Sequence, residues 1–330
     1  MVPFFIIRWL FRGGTIELYA IVSPMDTLHS LNQMVADIPQ ASIHEITSGY
    51  PTVRISNSFG TAEIALHGAH LIGFTPAAST PVIFLSSDAV FAAGTPIRGG
   101  IPICWPWFSR HQHRDDFPSH GIARTSFWTL QNVCHEGEFT LVEMTLSTDG
   151  TDPRWPFLSC AKISFSIGGH LSVALTTQNL GEIPFDFSDA LHCYFQLGEA
   201  KKTDVTGLTG ANYVFSLSDN EIKVQSDPIR IDQAIDRIFQ TQESSTIIDR
   251  ENRRVIVVSK SGSNNTVVWN PGVAGARKMA DLADQEYRRF VCVEPANAYP
   301  SPITLSPGGS HTTKTVISVN PLSPQVKTNE

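Results

Sequence analysis

The sequence predicts an all-β protein, a β-sandwich of mainly antiparallel strands, and two observations carry that expectation. Short segments of alternating apolar and polar residues recur through most of the chain, bounded by glycine, proline, asparagine or serine. Helical periodicity is confined to residues 233–239 and 279–287, stretches too brief for more than a turn or two. Many short strands with turn-rich links indicate a sandwich rather than a parallel sheet wrapped by helices.

The chain opens on ten mostly apolar residues, interrupted by Arg8 and followed by Arg12. That run is too short to span a bilayer, and a secretory signal carries its charge before its apolar core rather than after it. Residues 1–40 are therefore read as an N-terminal extension, with Met25 or Met34 as an alternative start, rather than as a strand added to the sheet edge. Residues 52–56 and 62–66 alternate on either side of Asn57-Ser-Phe-Gly60, which is hairpin grammar. Residues 161–167 and 170–177 do the same around Gly168-Gly169, where a two-residue turn would exploit the positive φ open to glycine. Further strands are expected over 138–147, 185–197, 253–259, 266–269, 290–294 and 312–318. With no repeat and no compositional boundary, residues 41–320 read as a single β-sandwich domain. Residues 321–330, polar with two prolines, read as a flexible tail.

Composition narrows the function. With 42% hydrophobic and 17% charged residues in 330, the chain is globular rather than disordered. A net charge of −7 without a Lys/Arg run argues against a nucleic-acid or membrane-surface partner. Five widely spaced cysteines without a CxxC pair suit a reducing, cytoplasmic setting and oppose a disulfide framework. No coiled-coil or apolar docking stripe is visible, so a monomer is expected. The Rossmann, P-loop and GxSxG signatures are absent. His67-x-x-His70 and His111-x-His113 each offer half a metal site without partners, so neither metal nor cofactor is expected.

Four segments carry candidate chemistry. Period two puts His192, Tyr194 and Gln196 on one face of their strand and Leu191, Cys193 and Phe195 on the other. His192 alone reads equally as a hydrogen-bonded structural histidine; the polar stripe beside it suggests a groove. Glu294 ends the apolar run Arg289-Phe-Val-Cys-Val before Pro295, as a solvated strand end or as a buried carboxylate needing donors. Arg98 precedes Gly99-Gly100, either a bulge with a surface arginine or a backbone cradle beside an anion-binding fork. Trp105, Trp107 and Phe108 follow, as core or with one ring flooring a sugar site. In Ser119-His120-Gly121-Ile-Ala-Arg124, His and Arg flank a glycine turn suited to binding anions or hydroxyls.

In order, IRGGIPICWPWF, HGIAR, ALHCYF, AIDRIF, VVWNP and FVCVEPAN resemble the hexose-6-phosphate mutarotases (glucose-6-phosphate 1-epimerases) of the aldose 1-epimerase group. The likeness runs from about residue 53 to residue 319, leaving the first fifty residues outside it. It implies a galactose-mutarotase-like supersandwich with a substrate groove across one sheet. It also implies catalysis by His192 as protonated acid and Glu294 as base, without a cofactor. Arg98 and Arg124 match the family's phosphate-contacting arginines, and Asp236 its sugar-binding carboxylate, with Ser119 and His120 beside them. The small-molecule partner is then a sugar phosphate, glucose 6-phosphate first. An aldose 1-epimerase for unphosphorylated sugars and a non-catalytic carbohydrate-binding module are the alternatives.

Overall fold

Alternation of burial along the strands builds two large sheets around one core. In the strand Leu158–Ile167, Ala161, Ile163 and Phe165 are buried while Lys162 between them is exposed. Its neighbours Phe139–Asp149 and Leu171–Asn179 pair with it antiparallel along its whole length. The computed structural model describes residues 8–12, 15–19, 24–111, 113–215, 221–298, 300 and 302–323. Among these, a nine-stranded and an eight-stranded sheet dominate, joined by a four-stranded sheet (residues 41–76) and two two-stranded ribbons. Every named strand pair is antiparallel.

The main core lies between the large sheets. Val142, Ile163, Val173 and Ile256 come from the nine-stranded sheet, and Leu191, Phe239, Val268 and Val293 from the eight-stranded one. Among the described residues the one long helix, Pro24–Val35, falls within the stretch expected to precede the fold, and its Leu31 and Val35 pack into this core. No helix among the described residues is long and apolar enough to cross a membrane. Residues 324–330 of the expected tail and the first seven residues lie outside the described residues.

Three local expectations change. The stretch 233–239, with weak helical spacing, is the strand Ile235–Gln240, flanked by Asn212–Val214 and Asn265–Asn270. Pairing on both edges outweighs a period that spans fewer than two turns. The segment 185–197 is three strands, Phe185–Phe187, Asp189–Leu191 and Tyr194–Gln196. The first pairs outside the large sheets, with Ile303–Leu305. At Gly168-Gly169 the pair Ile167–Leu171 closes a three-residue loop, and neither glycine has positive φ. A Cβ on Gly168 would lie 2.4 Å from the Phe139 ring, so glycine is required there by that ring.

Candidate active site

The strand Phe290–Asn297 runs mid-sheet and is buried on both faces, the main core covering one and two smaller apolar clusters the other. Val291 and Val293 enter the main core, whereas Phe290, Cys292 and Ala296 face away from it. Glu294 stands on this second face, 1% exposed. Across from it, Ala190 pairs with Ala296 and Tyr194 with Cys292. The same antiparallel register brings His192 opposite Glu294, although 102 sequence positions separate them. At His192 the ladder opens. The Cys193 N–H turns back onto the Leu191 carbonyl at 2.8 Å, a γ-turn with His192 at its apex. Cys193 and Phe195 point into the main core, as period two predicts.

His192 Nδ1 lies 3.3 Å from Glu294 Oε1, but the two are not aligned as a hydrogen bond; His192 Nδ1 and Glu294 Oε2 are buried without partners. The His192 ring stacks on Tyr194 at 4.9 Å and meets Trp269 edge-on at 6.0 Å. Burial first, and then the negative charge of Asp236, hold the Glu294 carboxyl well above the usual carboxylate range. Burial also lowers His192 well below an ordinary histidine, with His120, Arg124 and Arg98 adding to the effect. The sequence reading expects an imidazolium beside a carboxylate. Desolvation reverses that at rest, because both charged forms lose water and the nearby cations repel a proton on His192.

Arg98 is more tightly held than its place beside two glycines suggests. Its Nε donates to Asp281 Oδ1 at 3.2 Å, its Nη2 lies 3.1 Å from Oδ2, and its Nη1 donates to Tyr194 Oη at 3.0 Å. Burial opposes the charge, yet Tyr194 and Asp281 together raise its pKa above the normal guanidinium value. The Gly99-Gly100 cradle serves the fold: a Cβ on Gly100 would lie 2.3 Å from His70 Nε2 and 2.5 Å from the Leu71 carbonyl oxygen. Arg124 sits in the 3₁₀ turn Ala123–Thr125 and donates from Nη2 to the Ser119 carbonyl at 2.8 Å, leaving its buried Nε without a partner. Burial lowers its pKa.

His120 occupies positive φ and accepts at Nδ1 from the Ser109 N–H at 3.2 Å, so its proton is on Nε2. Burial, then Arg124 and Arg98, lower it to about 3. Its ring lies 5.6 Å from that of His192. Gly121 beside it is obligatory, since a Cβ there would sit 2.0 Å from the Trp105 carbonyl oxygen at a φ of 76°. Ser119 gives Arg124 its carbonyl and lines a separate 200 Å³ cavity with Arg110, His111 and Phe117.

Asp236 pairs in register with Trp269, which pairs with Cys292. Asp236 and Trp269 line a 520 Å³ cavity with Phe215, Arg237 and Asn270. Asp236 is exposed to solvent in this open cavity, and partial desolvation by its walls raises it to about 6. The ring that lines this cavity is Trp269; Trp105, Trp107 and Phe108 are all buried in the cores. The structure thus groups His192, Glu294, Arg98, Arg124 and His120 through contact or charge, with Asp236 two strands away across Trp269. Tyr194 joins them from the polar face that period two assigned to it, whereas Asp281 and Cys292 join unforeseen; of these two only Cys292 had a signal, standing two residues before Glu294 on the same strand face.

The paired histidines singled out in the sequence are otherwise engaged. His67 contacts the Tyr50 hydroxyl and accepts from the Gly94 N–H, and His70 donates to the Gly99 carbonyl at 2.8 Å. Among the described residues, the three donors that come close enough together to consider for a metal ion are instead His192, Cys292 and Glu294, whose ligand atoms lie within 4.8 Å of one another. All five cysteines are free; Cys104, Cys193 and Cys292 are buried, Cys134 and Cys160 half-buried.

The family profile described as aldose 1-epimerase matches residues 51–318. A protein of Escherichia coli (strain K12), provisionally named glucose-6-phosphate 1-epimerase, is 32% identical over 295 residues, covering 88% of this chain and 92% of the relative. A crystal structure from Salmonella typhimurium, provisionally named a mutarotase, superposes with a TM-score of 0.77 at 28% identity, covering 87% of this chain and 99% of that one. A galactose mutarotase-like protein from Clostridium acetobutylicum shares the fold, with a TM-score of 0.66 at 15% identity over 85% of this chain and 98% of its own. The β-sandwich is galactose-mutarotase-like, and the chain belongs to the aldose 1-epimerase family.

Proposed function

We propose that this protein interconverts the α and β anomers of a hexose 6-phosphate, glucose 6-phosphate first, by acid/base ring opening and closure. The observation that carries the proposal is the buried His192–Glu294 pair, 3.3 Å apart and without other partners, beside two arginines. Opening a pyranose requires a base on the C1 hydroxyl and an acid on the ring oxygen. A neutral carboxyl with a neutral imidazole carries the same number of protons as a carboxylate with an imidazolium. The site therefore needs only one proton moved from Glu294 to His192.

Substrate binding supplies the reason for that move. The cations that lower His192 include Arg124 and Arg98, and a phosphate between them offsets their charge. Glu294 then takes the C1 hydroxyl proton, imidazolium His192 gives its proton to O5, and the C1–O5 bond breaks. The pair returns to its neutral form around the open-chain aldehyde. Rotation about C1–C2 followed by the reverse steps gives the other anomer. Each positioned proton transfer contributes ~10²–10⁴-fold, and no cofactor enters the balance. Asp236 and Trp269 line the cavity where sugar hydroxyls and a ring face would bind.

A second reading, an aldose 1-epimerase for unphosphorylated sugars, draws on one observation: Asp281 already balances the Arg98 charge. Exchange NMR on the anomers of glucose 6-phosphate, run beside glucose and galactose, separates the two. A higher kcat/KM for the phosphate ester supports the proposal, and equal or lower values overturn it. A binding module on this fold would catalyse none of the three exchanges.

A further inference from the structure

We propose that the buried space between His192, Cys292 and Glu294 binds a soft divalent cation of the zinc class through these three side chains, as a dead-end complex that silences the acid/base pair of the proposed function. Two buried polar atoms, His192 Nδ1 and Glu294 Oε2, are without hydrogen-bond partners, and the Cys292 sulfur lies within 4.8 Å of both ligand groups. Cys292 and Glu294 are alternate residues on one strand face, and His192 faces Glu294 from the neighbouring strand. Such a pleated lattice presents three donors to a single point.

The spacing suits a tetrahedral ion. Zinc bonds of ~2.0–2.1 Å to nitrogen and oxygen give a ligand–ligand edge of about 3.3 Å, and Nδ1 to Oε1 is 3.3 Å. An edge to sulfur is about 3.6 Å with a ~2.3 Å Zn–S bond. The thiol therefore has to approach by little more than an ångström, within reach of side-chain adjustment. One thiolate, one imidazole and one carboxylate favour zinc, cobalt or cadmium over magnesium or calcium, which prefer oxygen alone.

Charge also balances. The cation displaces the proton of the Cys292 thiol and that of the Glu294 carboxyl, two protons released per ion, while His192 binds as the neutral imidazole. A dication with two anions leaves this buried pocket neutral, as it was before. Because two protons leave for each ion bound, affinity rises with pH. The fourth coordination position is left to water, and the bound pair can no longer exchange protons with a sugar.

Titration of the whole protein with Co²⁺ and Cd²⁺ reads the site without reference to any sugar. The expectation is one ion per chain, a thiolate-to-metal charge-transfer band, and loss of that band on adding excess Zn²⁺. Cys292→Ser should lose the band and bind at least tenfold more weakly, whereas Cys193→Ser, whose side chain enters the main core, should keep it. Measured against its own metal-free rate, anomer exchange in Cys292→Ser should tolerate at least tenfold more Zn²⁺ than in the unmodified protein. Should Cys292→Ser not fold, His192→Ala must weaken binding at least tenfold. No charge-transfer band in the unmodified protein, or unchanged affinity in either folded variant, overturns the proposal. A metal spectrum without any anomer exchange would sink the catalytic reading and leave the metal site standing.

Discussion

Replacing Glu294 by glutamine tests the resting protonation of the pair directly, because the amide keeps the shape of the carboxyl and cannot ionise. If Glu294 rested as a carboxylate against an imidazolium, glutamine would strand a buried charge on His192. Removing one partner of a buried ion pair typically costs ~3–5 kcal/mol. With both groups neutral no charge is stranded, and the loss should stay below about 1 kcal/mol. Residue 294 is 1% exposed and His192 8%, so solvent cannot blunt the difference.

The pH dependence has a definite sign. The folded Glu294 holds its proton above the value of 4.5 that describes the free side chain. Above that pH the unfolded chain binds fewer protons than the folded one, so this residue makes folding less favourable as pH rises. The slope is up to ~1.4 kcal/mol per unit until the folded group ionises. Urea unfolding from pH 5 to 8 should therefore show Glu294→Gln gaining on the native protein as pH increases. Anomer exchange should fall ~10²–10⁴-fold. A variant at least 3 kcal/mol less stable at pH 7 would refute a neutral resting pair.

Other outcomes follow from single contacts. Arg124→Ala should raise KM for glucose 6-phosphate ~10–150-fold, the equivalent of a ~1.5–3 kcal/mol charge-assisted contact, and leave KM for glucose nearly unchanged in the same exchange assay. His70, lowered to about 3 by burial and fully enclosed, stays neutral while the unfolded chain takes up a proton below 6.5. Native stability should therefore drop by up to ~1.4 kcal/mol per pH unit between about 6.5 and 3 on this account, and His70→Gln should flatten that limb in urea titrations. Gly121→Ala should lower the unfolding midpoint and exchange activity together, because the new methyl meets the Trp105 carbonyl at a strained φ; Gly137→Ala, at a φ of 58° but with open space around it, should lose some stability and keep its activity.

The sequence makes one axis of the site legible. Alternation separates His192 and Tyr194 from Leu191, Cys193 and Phe195, and the structure divides them as expected. It also puts Glu294 on the face away from Val293. Alternation cannot say that residues 192 and 294 meet, because cross-strand register between segments a hundred residues apart is set by the whole sheet. For the same reason Asp281 was invisible: it reaches Arg98 from a turn-rich stretch without a strand of its own. A carboxylate neighbour is visible in the sequence, whereas desolvation, which favours the neutral forms of His192 and Glu294, depends on how many strands cover the pair. The glycines at 99, 100 and 168 were assigned to ligand approach or turn freedom, and each instead makes room for neighbouring protein atoms.

The two arginines are unequal. Arg98 and Asp281 form a fork whose charges cancel, while Arg124 is paired only with a carbonyl. Arg98→Ala therefore removes a cation and leaves Asp281 as an uncompensated anion beside the arriving phosphate. At ~6 Å and an effective dielectric of ~20, each unit of unbalanced charge is worth ~3 kcal/mol. Most of the damage in Arg98→Ala should thus come from the orphaned carboxylate, and Arg98→Ala/Asp281→Ala, which deletes the pair together, should recover at least tenfold of the lost kcat/KM for glucose 6-phosphate. The free hexose, carrying no charge, should be nearly indifferent to whether Asp281 is present. Measured by anomer exchange at low ionic strength, a double variant as impaired as Arg98→Ala would mean that Arg98 acts through its own hydrogen bonds to substrate, and that the charge of Asp281 is irrelevant to the phosphate.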